Sequence, residues 1–277
     1  MIIVTDVKET LKNIMKDNNL NIKDVSIKAK ISTTSIRDFL KNELDVKYAN
    51  LGSYNYCKLK KFFNIYNYDF DLNKANFNKL YRHGICDIKN LYDKNGKQLK
   101  VYETWKGMFR RCYSEKCHNR EDTYKDCEVC EEWFLFSNFK KWYDDNYYQI
   151  DDCIMNLDKD ILHKGNKIYS PNTCVFVNQI INNLFTKNDK IRGGLPIGVR
   201  HSSCCNKKYH SVLSYYNFDL KKKCNKSLGY SDYIDELFKK YKQAKEENIK
   251  RVADYYKDKI PKKLYDAMYR YEVEITD

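Results

Sequence analysis

The chain has 277 residues, 42% hydrophobic and 15% aromatic, which is enough to bury cores and too much for a disordered chain. No apolar run approaches the ~20 residues that a membrane-crossing helix needs, and the start, MIIVTDVKETL, carries no leader-cleavage pattern. The net charge of +13 favours a polyanionic partner over an acidic or membrane-embedded role.

That charge is unevenly laid out. Residues 1–66 carry +5, 67–186 balance to zero, 187–230 carry +8, and 231–277 balance again. Each Lys or Arg near a phosphate displaces a condensed counterion, so two basic blocks flanking a neutral centre point to double-stranded DNA. A solvated basic surface kept for solubility is the plainer alternative. With no export pattern, the expected location is the cytoplasm, and the eleven cysteines are expected to be thiols or metal ligands.

Residues 6–66 read as helical. Val7, Leu11 and Met15 recur at helical spacing, and Asn18-Asn19 stops that helix. In the next stretch, 21–42, Val25, Ala29, Ile31, Ile36 and Leu40 have core spacing. Ser32 is placed to cap a helix from Thr33. A last helix spans about 52–64, with Tyr56, Leu59, Phe62 and Phe63 inward. The segment resembles the helix-turn-helix of phage repressors, although Lys30 stands where the turn usually has Gly. The resemblance implies that Thr33, Thr34, Ser35 and Arg37 face bases and that Lys41 meets a phosphate. A helical protein-interaction module is the other reading. Residues 67–98 carry no pattern and read as a connector.

The pattern changes near residue 99. All three tryptophans lie in the stretch 102–148, and Trp133, Phe136, Phe139 and Trp142 recur every three residues as a core stripe. Arg110 and Arg111 suit either phosphate or an ordinary surface. Cys112 with Cys117, and Cys127 with Cys130, form two close pairs that would suit a structural Zn²⁺, with His118 spare; buried free thiols are the alternative.

Residues 157–185, LDKDILHKGNKIYSPNTCVFVNQIINNLF, read as a strand ending in Asp158 and Asp160, a turn at Lys164-Gly165-Asn166, a strand over Cys174–Val177 and a helix from about Asn178. The runs W..M..RC, VC.EW, LDKDIL and YSPNTCVFV, followed by IIN, resemble phage-encoded HNH endonucleases. They cover about a third of the chain.

That resemblance implies a ββα-metal centre at which Mg²⁺ or Mn²⁺, held by Asp158, Asp160 and Asn182, assists phosphodiester hydrolysis. It also implies a general-base histidine directly after Asp158. Lys159 stands there instead, and a protonated lysine is a poor base. His163 or Asp160 could serve, and Asn172 stands near the family's middle Asn. Solvated carboxylates flanking a strand are the plain alternative.

Residues 195–230 read as three short strands. A long amphipathic helix follows, capped by Ser231, with Ile234, Leu237, Phe238, Tyr241, Ala244, Ile249, Val252 and Tyr256 on one face and Pro261 at its end. The segment resembles the ethylene-response-factor type of DNA-binding domain, which lays its sheet in the major groove. By that resemblance Arg200, Lys207, Lys208, His210 and Ser214 face DNA. His201, Cys204, Cys205, His210 and Cys224 are spaced too irregularly to read as a metal site, and Lys221–Lys223 reads as a solvated loop near phosphates.

The expected class is therefore α+β and multi-domain. A helix-turn-helix covers 1–66, a connector 67–98, an HNH-like nuclease domain 99–190, and a three-stranded sheet with a long helix 191–277. A sequence-directed, homing-type DNA endonuclease in a bacterial host, close to the nucleoid, is the first functional reading. A non-catalytic phage regulator is the second. The third is an anti-defence protein that binds a host protein on a decayed nuclease scaffold. The sequence shows no membrane anchor and no oligomer interface.

Overall fold

The computed structural model describes residues 2–4, 6–41, 51–72, 79–186, 194–203 and 206–277. The fold is mixed α+β, with small sheets. No helix among the described residues is long and apolar enough to cross a membrane. The chain divides into two compact units: Met1–Asp145 with Ile168–Ser170, and Asn146–Lys167 with Pro171–Asp277. The expected 99–190 segment is shared between them.

The first unit opens with β1 (Ile2–Ile3) and helices α1 (Val7–Asp17), α2 (Ile22–Ala29), α3 (Thr33–Lys41) and α4 (Gly52–Asn64). Their ends are written locally. Asp6 accepts the Lys8 and Glu9 N–H groups at 2.9 Å, and Asn21 and Asp24 form a reciprocal capping box on α2. Ser32 Oγ accepts the Ser35 N–H at 3.1 Å, as its position in the sequence suggests. Leu11, Ile14, Val25, Ile36, Leu59, Phe62 and Phe63 close the core between these helices.

Residues from the expected connector join that core. Strand β2 (Tyr68–Asp69) pairs in parallel with β1, and Phe70 and Ile85 are buried with the helices. Then come α5 (Lys100–Tyr113), the short α6 (Glu115–His118), β3 (Glu128–Val129) and α7 (Phe136–Asn146). Trp105, Met108, Phe109, Trp133, Phe136 and Phe139 have no exposed surface, so the aromatic stripe is core. Trp105 Nε1 donates to the Trp133 carbonyl at 2.8 Å, which satisfies its one polar atom.

The second unit opens with β4 (Met155–Asp158), whereas strand β5 (Ile168–Tyr169) belongs to the first unit, where it pairs in parallel with β3. Strand β6 (Val175–Asn178) is antiparallel to β4, with Asp158 opposite Val175, and every residue of it is buried. Helix α8 (Gln179–Phe185) follows with no loop, because Asn178 ends the strand and caps the helix, accepting the Ile181 N–H at 2.8 Å.

A three-stranded antiparallel sheet comes next: β7 (Val199–His201), β8 (Tyr209–Asn217) and β9 (Lys222–Ser231), in that order. Helix α9 (Ile234–Tyr255) packs on it through Leu237, Tyr241, Ile249 and Val252. Ser231 accepts the Tyr233 N–H and donates to Glu236, fixing the helix entry. Helix α9 stops at Tyr255, short of the expected Ile260. Pro261 caps a further helix, α10 (Lys262–Tyr269), instead of closing α9. A proline suits a helix start because the N–H it lacks would have had no partner there.

Candidate functional site

The most chemically loaded place in the second unit is the end of β4. Asp158 Oδ1 accepts the N–H groups of Asp160 at 2.9 Å and Ile161 at 2.8 Å, so the chain folds tightly around this carboxyl. Burial, and then the neighbouring Asp160 carboxylate, push the Asp158 carboxyl up to about 6. The two backbone N–H groups pull the other way without winning. A half-buried carboxyl beside a second one is an arrangement that a cation relieves.

Lys159 is buried, and its Nζ lies 3.1 Å from Asp160 Oδ2. An ion-paired ammonium holds no lone pair to accept a proton, so this side chain acts as an internal countercharge. The Lys159 carbonyl accepts from Asn166 Nδ2 at 2.7 Å, which ties the following turn back to the site.

The structure thus gathers Asp158, Lys159 and Asp160 at one point. His163 is exposed on the turn beyond them, Asn172 is exposed in the loop before β6, and Asn182 is half-buried on α8. Among the described residues, no three His, Cys, Asp or Glu side chains form a metal-holding group, so His163 does not complete one with the two aspartates. A pair of carboxyls still fits Mg²⁺, which is commonly held by one or two carboxylates with water filling its octahedron.

The same statement covers Cys112, Cys117, Cys127 and Cys130 in the first unit. Cys112 and Cys127 are buried, and Cys127 Sγ donates to the Thr123 carbonyl at 3.6 Å. Burial raises the Cys130 thiol above its ordinary value. Nearby, Arg111 is turned inward, with its Nε donating to the Tyr169 hydroxyl at 2.8 Å, while Arg110 is exposed.

The sheet of the second unit presents a polar face. Arg200, His210 and Tyr230 stand opposite one another across the three strands. The His210 ring stacks on Tyr230 with centroids 4.0 Å apart, and its Nε2 lies 2.8 Å from Ser227 Oγ. Arg200 Nη2 lies 3.4 Å from His210 Nδ1. Burial, and then the Arg200 charge, lower the imidazole below its ordinary value, which favours the neutral ring. Ser214 Oγ donates to Asn225 Oδ1 at 2.6 Å.

Arg200 and Ser214 are exposed, whereas His210 is buried and works as a spacer between its neighbours. Lys207 and Lys208 lie outside this row, on the approach to β8. Lys207 Nζ pairs with Asp232 at 2.9 Å, and the Lys208 N–H donates to the same carboxylate. Asn225, Ser227 and Tyr230 of β9 share the polar row and were not expected from sequence. Pairing β9 against β8 residue by residue would have found them, but for the bulge at Ser211/Val212 that resets the alternation. Cys204 and Cys205 lie outside the described residues.

In the first unit, α3 exposes Thr34, Arg37 and Lys41, while Thr33 and Ser35 are half-buried. Ser35 is engaged at the cap, with its Oγ 2.7 Å from Ser32 Oγ. Lys30, in the place of the usual turn glycine, adopts the left-handed conformation itself, at φ 56° and ψ 41°.

Compared with known proteins, the chain matches no protein-family model, no curated protein and no solved structure.

Proposed function

We propose that this protein is a sequence-directed, metal-dependent DNA endonuclease of the ββα type, working in the cytoplasm near the nucleoid. The observation that carries the reading is the half-buried Asp158 carboxyl at the end of β4, raised in pKa beside Asp160, on a hairpin that feeds directly into α8. Asp158 and Asp160 are the residues that would hold Mg²⁺ or Mn²⁺, with Asn182 from α8 as the third donor. Such an ion, when bound, stabilises the leaving oxygen of a phosphodiester. The polar row through Arg200 and Ser214, and the exposed Thr34, Arg37 and Lys41 of α3, would position the duplex. Phosphate contacts set register, and groove contacts choose sequence.

A second reading has its own observation. Lys159 pairs with Asp160 where the HNH resemblance implies a free histidine base. That pairing favours a DNA-binding regulator whose nuclease centre is silent. A host protein as partner is the outcome left if no DNA binds.

Supercoiled plasmid separates these readings. The enzyme nicks it with Mg²⁺ or Mn²⁺, stops with chelator, and loses at least a hundredfold in Asp158→Ala. A regulator retards the plasmid without cutting it under any metal. Binding has a separate readout. Mg²⁺ should raise the melting temperature of the wild type at pH 7 and leave Asp158→Asn unmoved, because the ion relieves a carboxyl that the fold otherwise holds against its preference.

A further inference from the structure

The first unit holds a wide-mouthed cavity of about 750 Å³ between α5 and the turn that precedes it. Its size lies within the roughly 300–1,000 Å³ of small-ligand sites. Lys79, Lys106 and Arg110 line it against a single acid, Glu103. Two tyrosine rings, Tyr81 and Tyr102, stand among the cations. The Tyr102 ring is held by its neighbours, its centroid 5.8 Å from that of the near-parallel Trp105 ring and 5.1 Å from that of the steeply inclined Phe136 ring. Lys106 Nζ is held 3.3 Å from Gln98 Oε1 and 5.4 Å from the centre of the Tyr102 ring.

Two features of the walls are conformationally costly. Gly107 lies in the middle of α5, where glycine is the poorest helix former after proline. A Cβ there would meet nothing closer than Arg111 Nη1 at 3.7 Å, so no neighbour demands the glycine. What it does is keep the cavity floor open. On the opposite wall, Tyr81 and Arg82 take consecutive left-handed conformations, at φ 49° and 69°. They are clamped by the reciprocal backbone bonds of Leu80 and Gly84, both 2.8 Å. Strained non-glycine turns of this kind persist where the surroundings force them, and they cluster at binding sites. Lys79 is partly desolvated at the rim, and burial lowers its ammonium below the ordinary value even though Asp71 opposes this.

We propose that this cavity binds a nucleoside monophosphate, either free or as one unit of a DNA strand, with its phosphate on Lys106, Arg110 and Lys79 and its base against the tyrosine rings. Three cations outnumber the lining acid Glu103 and Asp71 beside Lys79, which favours an anion, and the tyrosines supply the flat apolar surface that a base stacks on. The proposal needs only the first unit and does not depend on cleavage at Asp158.

The test is calorimetric titration of the full chain with deoxyadenosine 5′-monophosphate, inorganic phosphate and deoxyadenosine. The nucleotide should bind at least tenfold more tightly than either part. Lys106→Ala with Arg110→Ala should weaken it at least tenfold. Gly107→Leu should abolish binding while raising the melting temperature, since leucine fills the floor and favours the helix. A single-stranded oligonucleotide that displaces the nucleotide assigns the site to a strand; no displacement assigns it to the free nucleotide. Wild-type affinity in Gly107→Leu, phosphate binding as tightly as the nucleotide, or no nucleotide binding at millimolar concentration overturns the proposal. Plasmid nicking by the same variants reports on Asp158 separately, so the two readings can fail independently.

Discussion

Lys245 sits on the buried side of α9, between Tyr241 and Ile249, with 8% of its surface exposed. Burial first, and the charge of Lys223 second, push its ammonium down to about 8, with Asp277 opposing. The unfolded chain would hold this group near 10.4. A lowered basic pKa means that the native state gains stability as pH rises between those two values, and the destabilisation is fully present below 8. At neutral pH the fold therefore carries an unfavourable charge.

Lys245→Met should stabilise the protein at pH 7 by about 1–3 kcal/mol, with the gap to wild type narrowing toward pH 10. Asp277 loses no essential partner, because Lys164 holds it at 2.8 Å. Urea unfolding at pH 7 and pH 9.5 decides it; equal midpoints at pH 7 would show that the ammonium is hydrated after all. Nothing in the sequence marks this lysine. The apolar stripe of α9 is readable, but lysines on helices usually face water, and only the packed sheet fixes which flank of the stripe turns inward.

At the scale of elements, the turn between α2 and α3 shows why a missing glycine need not mean a missing turn. Lys30 takes the left-handed conformation at some cost, and its carbonyl accepts the Lys58 ammonium. Lys30→Gly should relieve that conformation and raise stability by about 0.5–1 kcal/mol, read as a rise in the denaturation midpoint. The opposite holds at Gly198, before β7. Its φ is +77°, and a Cβ would fall 1.9 Å from the Tyr241 ring. Gly198→Ala should cost about 3 kcal/mol or more, through both the conformation and the clash. A double-mutant cycle with Tyr241→Ala should recover the clash part alone; full additivity would mean that the ring does not lie on this backbone.

These elements were legible in different degrees. The cap at Ser32, the β4–β6 hairpin and the three-stranded sheet follow from local chemistry and alternation, which act over a few residues, whereas Ser231, expected to cap α9, bonds the Tyr233 N–H and leaves the cap position to Tyr233. The roles of Phe70 and Ile85 did not show, because short strands and bridges formed with distant segments leave no periodicity. Helix α10 was hidden by reading Pro261 as an ending when it serves as a beginning. At the candidate centre, Asp158 and Asp160 stood out by spacing. The engagement of Lys159 with Asp160 is a side-chain choice that the sequence leaves open.

Over the whole molecule, charge is the feature that connects composition to a partner. The described part of the +8 block of residues 187–230 carries the second unit's sheet, whereas 231–277, which contain α9 and α10, balance to zero. If that block meets phosphates, log affinity should fall linearly with log salt, by about 0.9 per phosphate neutralised. Four to five contacts would give a slope of about −4.

Not every cation in the block should contribute equally. Lys222 is exposed at the start of β9, and Lys222→Ala should reduce the slope by about one. Lys207 already neutralises Asp232. Removing it frees an acid while deleting a base, so Lys207→Ala weakens binding through repulsion, and Lys207→Ala with Asp232→Ala restores most of the loss. Electrophoretic mobility shifts from 50 to 300 mM KCl measure all three. A slope near zero in the wild type, or identical slopes for Lys222→Ala and wild type, would show that the positive block faces solvent and that the composition had been pointing at solubility all along.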